Sequence, residues 1–174
     1  MINKKLIDFS NPLLVLAPLA GYTDLPFRSV VKKFGADLTV SEMISSNALV
    51  YNSKKTFKML EKAENEIPYI VQIAGNNPDI IKEAVLILSD IDWIDGIDLN
   101  CGCPAPKVFS HGSGSRLLED LDKLESILST IKLNSKKQYT TAKIRIGVDE
   151  KIPVEIAKVV EGAGADFIAV HGRT

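Results

Sequence analysis

The sequence predicts an α/β fold, a TIM-type (β/α)8 barrel of which about six of the eight strands are present. Three observations predict it. Apolar, β-branched stretches alternate with stretches of helical spacing, six strands to five helices, the mark of a parallel sheet with crossover helices. No glycine-rich turn of dinucleotide spacing follows the first strand, which weighs against a doubly wound sheet. Gln72, Asn100, Cys103, Lys143, Arg145 and His171 stand at or just past strand ends, where a barrel gathers its reactive groups on one face.

Each element has a local reason. Pro12 to Ala17 is a short apolar strand introduced by Asn11-Pro12. Thr23 or Asp24 can cap the following helix, and Gly35 ends it. Leu38 to Val40 is a second strand. Leu49, Val50, Phe57 and Leu60 give Asn47 to about Lys62 a helical spacing. Pro68 to Ala74 is a third strand, rich in β-branched and aromatic residues. Asn77-Pro78 starts a helix with proline at its first position. Gly96 to Leu99 is a fourth strand, and a glycine-bearing loop runs from Asn100 to Gly114. Leu117 to Leu133 is helical by periodicity, Tyr139 to Ile146 is a fifth strand, Val154 to Glu161 a helix, and Asp166 to Val170 a sixth strand. A full barrel takes about 250 residues. Two strand–helix units are therefore expected to lie outside this chain of 174 residues.

Composition bounds the function. Hydrophobic residues make up 45% and charged residues 25%, ordinary for a globular domain. Lysine plus arginine number 21 against 22 aspartates and glutamates, a net charge of −1. Bulk charge thus gives no argument for a nucleic-acid partner, and any RNA contact must use local patches or residues outside the chain. The pairs Lys4-Lys5, Lys32-Lys33, Lys54-Lys55 and Lys136-Lys137 each read as solvated surface. No apolar run approaches the roughly 20 residues of a membrane span. The two cysteines lie too close in sequence for a disulfide framework, so a cytoplasmic location is the default expectation.

The strongest local signal is the run Asp98-Leu99-Asn100-Cys101-Gly102-Cys103-Pro104-Ala105-Pro106-Lys107-Val108. Cys-x-Cys can be two small loop residues or a reactive thiol at a strand end. A metal site would need two further soft ligands, and no zinc-like histidine pattern supplies them. Lys143 and Arg145 are two apart on a strand and so share a face. Inside a barrel such charges need a partner or a ligand; at its rim they can reach solvent. Gln72 sits within the apolar strand Ile70-Val71-Gln72-Ile73-Ala74, and His171 ends the sixth strand. Taken singly, each could be a satisfied buried polar group. Four such residues at equivalent strand ends point to a site.

The same residues carry a resemblance to the tRNA-dihydrouridine synthases. Ala17-Pro18-Leu19-Ala20-Gly21-Tyr22-Thr23-Asp24-Leu25-Pro26-Phe27-Arg28 resembles that family's first motif. Gln72-Ile73-Ala74-Gly75, the Asn100 to Lys107 run, Lys143-Ile144-Arg145 and His171-Gly172-Arg173-Thr174 resemble four more, in family order and at fitting spacing. The resemblance implies a flavin barrel followed by a small helical RNA-binding domain that lies outside this chain. It implies FMN as cofactor, NADPH as reductant and tRNA as substrate, whose uridine is reduced at C5–C6. By position it puts Pro18, Leu19 and Ala20 against the flavin. Gln72 and Lys143 would bond the isoalloxazine, and His171 would lie at the flavin or its phosphate. Asn100 and Arg145 would hold the uracil, and Cys103 would be the general acid, with Cys101 at a variable position. A thiol carries its proton at neutral pH, which suits that role.

The sequence departs from the family pattern in three places. Leu19 stands for the usual methionine, and His111 and Ser115 flank Gly112 and Gly114 where a basic and a small residue are usual. The last two strands, which bear the family's phosphate site, are expected outside the chain. A dihydroorotate-dehydrogenase-like flavin barrel shares an Asn-x-x-Cys/Ser-Pro loop, but the Lys143-Ile144-Arg145 and His171 to Thr174 blocks argue against it. A non-catalytic remnant is the third alternative.

Overall fold

The computed structural model describes residues 6–174; the Lys4-Lys5 pair lies outside them. Every strand pairing is parallel, and the strands lie side by side in chain order. They are β1 (Val15–Leu16), β2 (Leu38–Val40), β4 (Tyr69–Ala74), β5 (Gly96–Cys101), β6 (Tyr139–Arg145) and β7 (Phe167–His171). A doubly wound sheet starts in its middle and reverses direction. This sheet never reverses, which is barrel topology, and it makes an incomplete barrel of six consecutive strands. A further strand, β3 (Ile44–Ser45), pairs with the end of β4 beyond β2, with Ile44 opposite Ile73.

Capping fixes where the helices start. Asp24, rather than Thr23, caps α1 (Leu25–Lys33) by accepting from the Phe27 N–H at 3.1 Å, and Pro26 occupies its first turn. Thr23 instead accepts from the Leu19 N–H at 2.9 Å and so closes the loop after β1. Asn77 caps α4 (Pro78–Ser89), and Asp120 caps α6 (Leu121–Asn134). The expected single helix over 47–62 is two short ones, α2 (Ser46–Val50) and α3 (Lys54–Lys58). Asn52 breaks it with a φ of 56°, and Ser53 caps the new start. Two short helices not anticipated from sequence occupy the 100–120 region: α5 (Pro106–Phe109) and a 3-10 segment, Gly114–Glu119. The latter takes Leu117 and Leu118 out of α6 while keeping both buried. The last helix, α7 (Pro153–Gly162), precedes β7.

Side chains alternate across the strands, and the two faces build two cores. Val71, Ile73, Ile97, Leu99, Ala142 and Ile144 point outward and pack under Ile81, Val85, Leu88, Leu124, Ile127 and Leu128 of α4 and α6. Inside, Ile7, Leu38, Val40, Ile70 and Tyr139 form a plug, with Leu13 and Phe167 against it. The Tyr139 hydroxyl accepts from the Ile7 N–H at 3.0 Å, so the segment before β1 is tied under the barrel. This plug is the floor on which the inward-facing polar residues stand.

Candidate active site

Parallel pairing stacks the inward residues in levels. Gln72, Asp98, Thr141 and Phe167 are register partners across β4 to β7. One level higher stand Asn100, Lys143 and Ala169. At the carboxyl rim Arg145 faces His171. The period-two argument for Lys143 and Arg145 therefore extends across four strands.

Above the plug lies a cavity of about 560 Å³. Leu38, Val40 and Ile70 floor it, and Pro18 and Leu19 wall one side. Ala169 and Val170 wall the other, with Asp98, Thr141, Lys143 and His171 as its polar groups. Of the residues expected from sequence, Pro18, Leu19, Lys143 and His171 thus line one cavity. Ala20 is exposed just beyond it. Gln72 and Asn100 are on the same inner face but are covered by each other, 1% and 8% exposed. Arg145 turns to backbone, donating from Nε to the Gly102 carbonyl at 2.8 Å and from Nη1 to the Thr174 carbonyl at 2.7 Å.

Polar groups at the lower two levels form a continuous ladder. The Thr141 hydroxyl donates to Asp98 Oδ1 at 2.6 Å, and Gln72 Nε2 donates to Asp98 Oδ2 at 2.7 Å. Asn100 Nδ2 donates to Gln72 Oε1 at 2.7 Å, and Asn100 Oδ1 accepts from the N–H groups of Gly102 and Cys103 at 3.2 and 3.0 Å. Asp98 is the functional candidate that sequence reading left without a role. Its signal was present: it lies two residues before Asn100 in an apolar strand, on the same face. Burial pushes the Asp98 carboxyl up to about 6, against the pull of the Thr141 and Gln72 hydrogen bonds and the charge of Lys143.

The two cysteines are in different surroundings. Cys101 ends β5 on its outer face, fully buried in the apolar core, and burial raises its thiol well above the ordinary value. Such a thiol is inert. Cys103 is half-buried in the loop above the ladder. Its carbonyl accepts from both the N–H and the hydroxyl of Ser115, at 3.0 and 3.2 Å. Gly114 makes this approach possible: its φ is 65°, and a Cβ there would lie 2.5 Å from the Cys103 carbonyl oxygen. Among the described residues no cluster of histidine, cysteine or carboxylate could hold a metal ion. None of the described helices is long and apolar enough to cross a membrane.

A mostly apolar cavity with a few convergent polar groups, at the carboxyl end of a parallel barrel, is where barrel proteins bind small organic ligands. The family model described as dihydrouridine synthase matches residues 15–174. A probable tRNA-dihydrouridine synthase of Helicobacter pylori is 54% identical over 169 residues, covering 97% of this chain and 52% of that protein. The tRNA-dihydrouridine synthase B of Pseudomonas aeruginosa is 40% identical over 164 residues, 92% of this chain and 48% of that protein. A probable tRNA-dihydrouridine synthase of Rickettsia conorii is 39% identical, covering 92% and 49%. This chain belongs to the dihydrouridine synthase family. It spans about half the length of the curated relatives it matches.

Proposed function

We propose that residues 1–174 form the FMN-binding barrel domain of a cytoplasmic enzyme that reduces uridine to 5,6-dihydrouridine in tRNA. NADPH is the reductant and Cys103 the general acid. The observation that carries this reading is the apolar slot with Lys143 and His171 on its wall, next to a loop that holds a half-buried cysteine. The relatives are about twice as long as the stretch they share with this chain, which leaves room for two more strand–helix units and a helical RNA-binding domain.

The donor set fits FMN. The slot walls are apolar enough to sandwich a tricyclic ring, with Pro18 and Leu19 on one side. Lys143 is a cation at the inner level, suited to hold negative charge on a reduced ring. Gln72, covered in this structure by Asn100, would reach the ring edge with the one N–H its bonds to Asp98 and Asn100 leave free, and His171 would lie at the rim for the ring or its phosphate. When bound, the flavin supplies the hydride that uracil receives at C6. Asn100 and Arg145 hold the uracil after it leaves its stack in the tRNA. The Cys103 thiol gives its proton to C5, and the thiolate left behind takes a proton back from solvent.

Flavin analysis and two thiol variants test the reading in the full-length protein. FMN should be bound in preference to FAD or NAD. Cys103→Ala should leave reduction of FMN by NADPH intact and lower dihydrouridine formation by about a hundredfold or more, the usual contribution of a general acid. Cys101→Ala should be nearly silent. Bound FAD, or the reverse order of the two variants, would overturn the assignment.

A further inference from the structure

The ladder inside the barrel has a direction, and its two ends set it independently. At the upper end the N–H groups of Gly102 and Cys103 meet one atom of Asn100. Backbone N–H can only donate, so that atom is the amide oxygen, and the Asn100 NH2 must face Gln72. Gln72 must then offer its oxygen upward and its own NH2 downward. At the lower end stands Asp98, which as a carboxylate can only accept. The two requirements agree. Flipping either amide would bring two NH2 groups or two oxygens together at 2.7 Å. Gln72 and Asp98 are 1% and 4% exposed, so solvent offers no substitute partner.

We propose that Asp98 is a positioning residue. It supplies the acceptor that lets Gln72 turn its oxygen to Asn100. Asn100, with its oxygen spent on the Cys103 loop and one N–H on Gln72, is left with a single free N–H. The ligand group that Asn100 recognises is therefore an acceptor, a heterocycle carbonyl, and not a ring N–H. Uracil and the isoalloxazine ring both carry such carbonyls. Only this last step rests on the proposed function; the direction of the ladder stands on the geometry.

The test compares Asp98→Leu with Asp98→Asn in the full-length protein. Leucine removes the acceptor. Asparagine keeps one, because its NH2 can turn to the Thr141 oxygen. Leucine removes a costly buried carboxylate but leaves the Gln72 amide and the Thr141 hydroxyl without their acceptor, two opposed effects on the melting temperature, so binding and turnover are compared only on protein shown to be folded. Asp98→Leu should weaken FMN binding or lower kcat/KM on tRNA by roughly tenfold, the worth of one buried hydrogen bond. A shift in FMN affinity assigns the carbonyl to the flavin; unchanged affinity with lowered kcat/KM assigns it to uracil. Asp98→Asn should stay within about threefold of wild type. A readout independent of ligand is the side-chain amide resonance of Gln72, identified by its loss in Gln72→Ala. In the wild type one of its protons should be shifted downfield and protected from exchange, as it should in Asp98→Asn, while Asp98→Leu should lose both properties. If Asp98→Leu does not fold, that wild-type resonance decides: an unshifted, freely exchanging amide overturns the proposal. So does an Asp98→Leu protein with unchanged FMN affinity and turnover, or an Asp98→Asn protein as impaired as Asp98→Leu. A wild type that makes no dihydrouridine yet shows the protected amide sinks the functional reading and leaves the ladder standing.

Discussion

Asp98 shows how a single buried residue can trade stability for order. Its carboxyl titrates near 6 in the folded chain, above the ordinary carboxylate value, because burial disfavours the charged form. Between about pH 4 and 6 the folded state therefore holds a proton that the unfolded state has released. Stability contributed by this group is fully present below the unfolded value and is lost as pH rises through about 6. The loss is on the order of 3 kcal/mol once the group is ionised. Urea midpoints measured from pH 4 to pH 7 should fall more steeply for the wild type than for Asp98→Asn. Parallel curves would mean that the carboxyl is not desolvated. Gly114 makes the opposite bargain, since it keeps a tight approach at no side-chain cost. Gly114→Ala should destabilise by about 1–3 kcal/mol, from the positive φ and the contact with Cys103. Thermal denaturation reads the loss, and an unchanged midpoint would mean that the loop simply gives way.

Between elements, one buried ion pair ties together several segments on the β1 side. Arg28 of α1 is 1% exposed and lies 2.7 Å from Glu66, which is 0% exposed. Arg28 also donates to the carbonyls of Thr23 and Glu61, and Glu66 accepts from the Thr39 hydroxyl and the Ala63 N–H. The loop after β1, the strand β2 and the segment before β4 are thereby fastened at one point. Removing one partner leaves a buried charge, so Glu66→Ala should cost about 3–5 kcal/mol. A double variant with apolar partners, Arg28→Met with Glu66→Leu, should recover part of that in chemical denaturation. A larger loss in the double variant would contradict the account. This pair also shows what sequence leaves hidden. Arg28 is legible as part of a motif, but among Glu61, Glu64 and Glu66 the spacing does not mark which carboxylate is buried. Strand positions and helix faces were legible because hydrophobic spacing records burial. The break at Asn52 was not, since the apolar positions Leu49, Val50, Phe57 and Leu60 keep a helical spacing across two separate helices. Leu117 and Leu118, read as the start of one helix running to Leu133, stand instead in a separate 3-10 turn before α6. For the site, period-two spacing placed Lys143 and Arg145 on one face, and their position at strand ends grouped them with Gln72 and His171. The direction of the hydrogen bonds around Gln72 needed coordinates.

At the scale of the molecule, β1 and β7 are the two edges of the described sheet, each paired on one side. Six strands do not close a barrel of this type, because strand number, tilt and shear are linked. Unpaired edges recruit further strands. Val170 on β7 and Val15 on β1 are 58% and 43% exposed, apolar groups placed where a neighbour would cover them. The 174-residue chain on its own should therefore self-associate and bind FMN poorly. Size-exclusion chromatography with flavin titration reads both outcomes; a monomer that binds FMN tightly would show that the sheet closes in another way.

The loop carrying Cys103 has a kinetic consequence. Asn100 fastens the peptide of Cys103 at its nitrogen, and Ser115 fastens it at its oxygen. With the backbone pinned on both sides, the freedom left to the sulfur is rotation about the Cα–Cβ bond, a pivot with three staggered stops. Rotamer flips of exposed side chains take picoseconds to nanoseconds, faster than the nanoseconds to microseconds of loop motion. The thiol thus turns like a turnstile on a fixed post, rather than swinging with its loop like a gate.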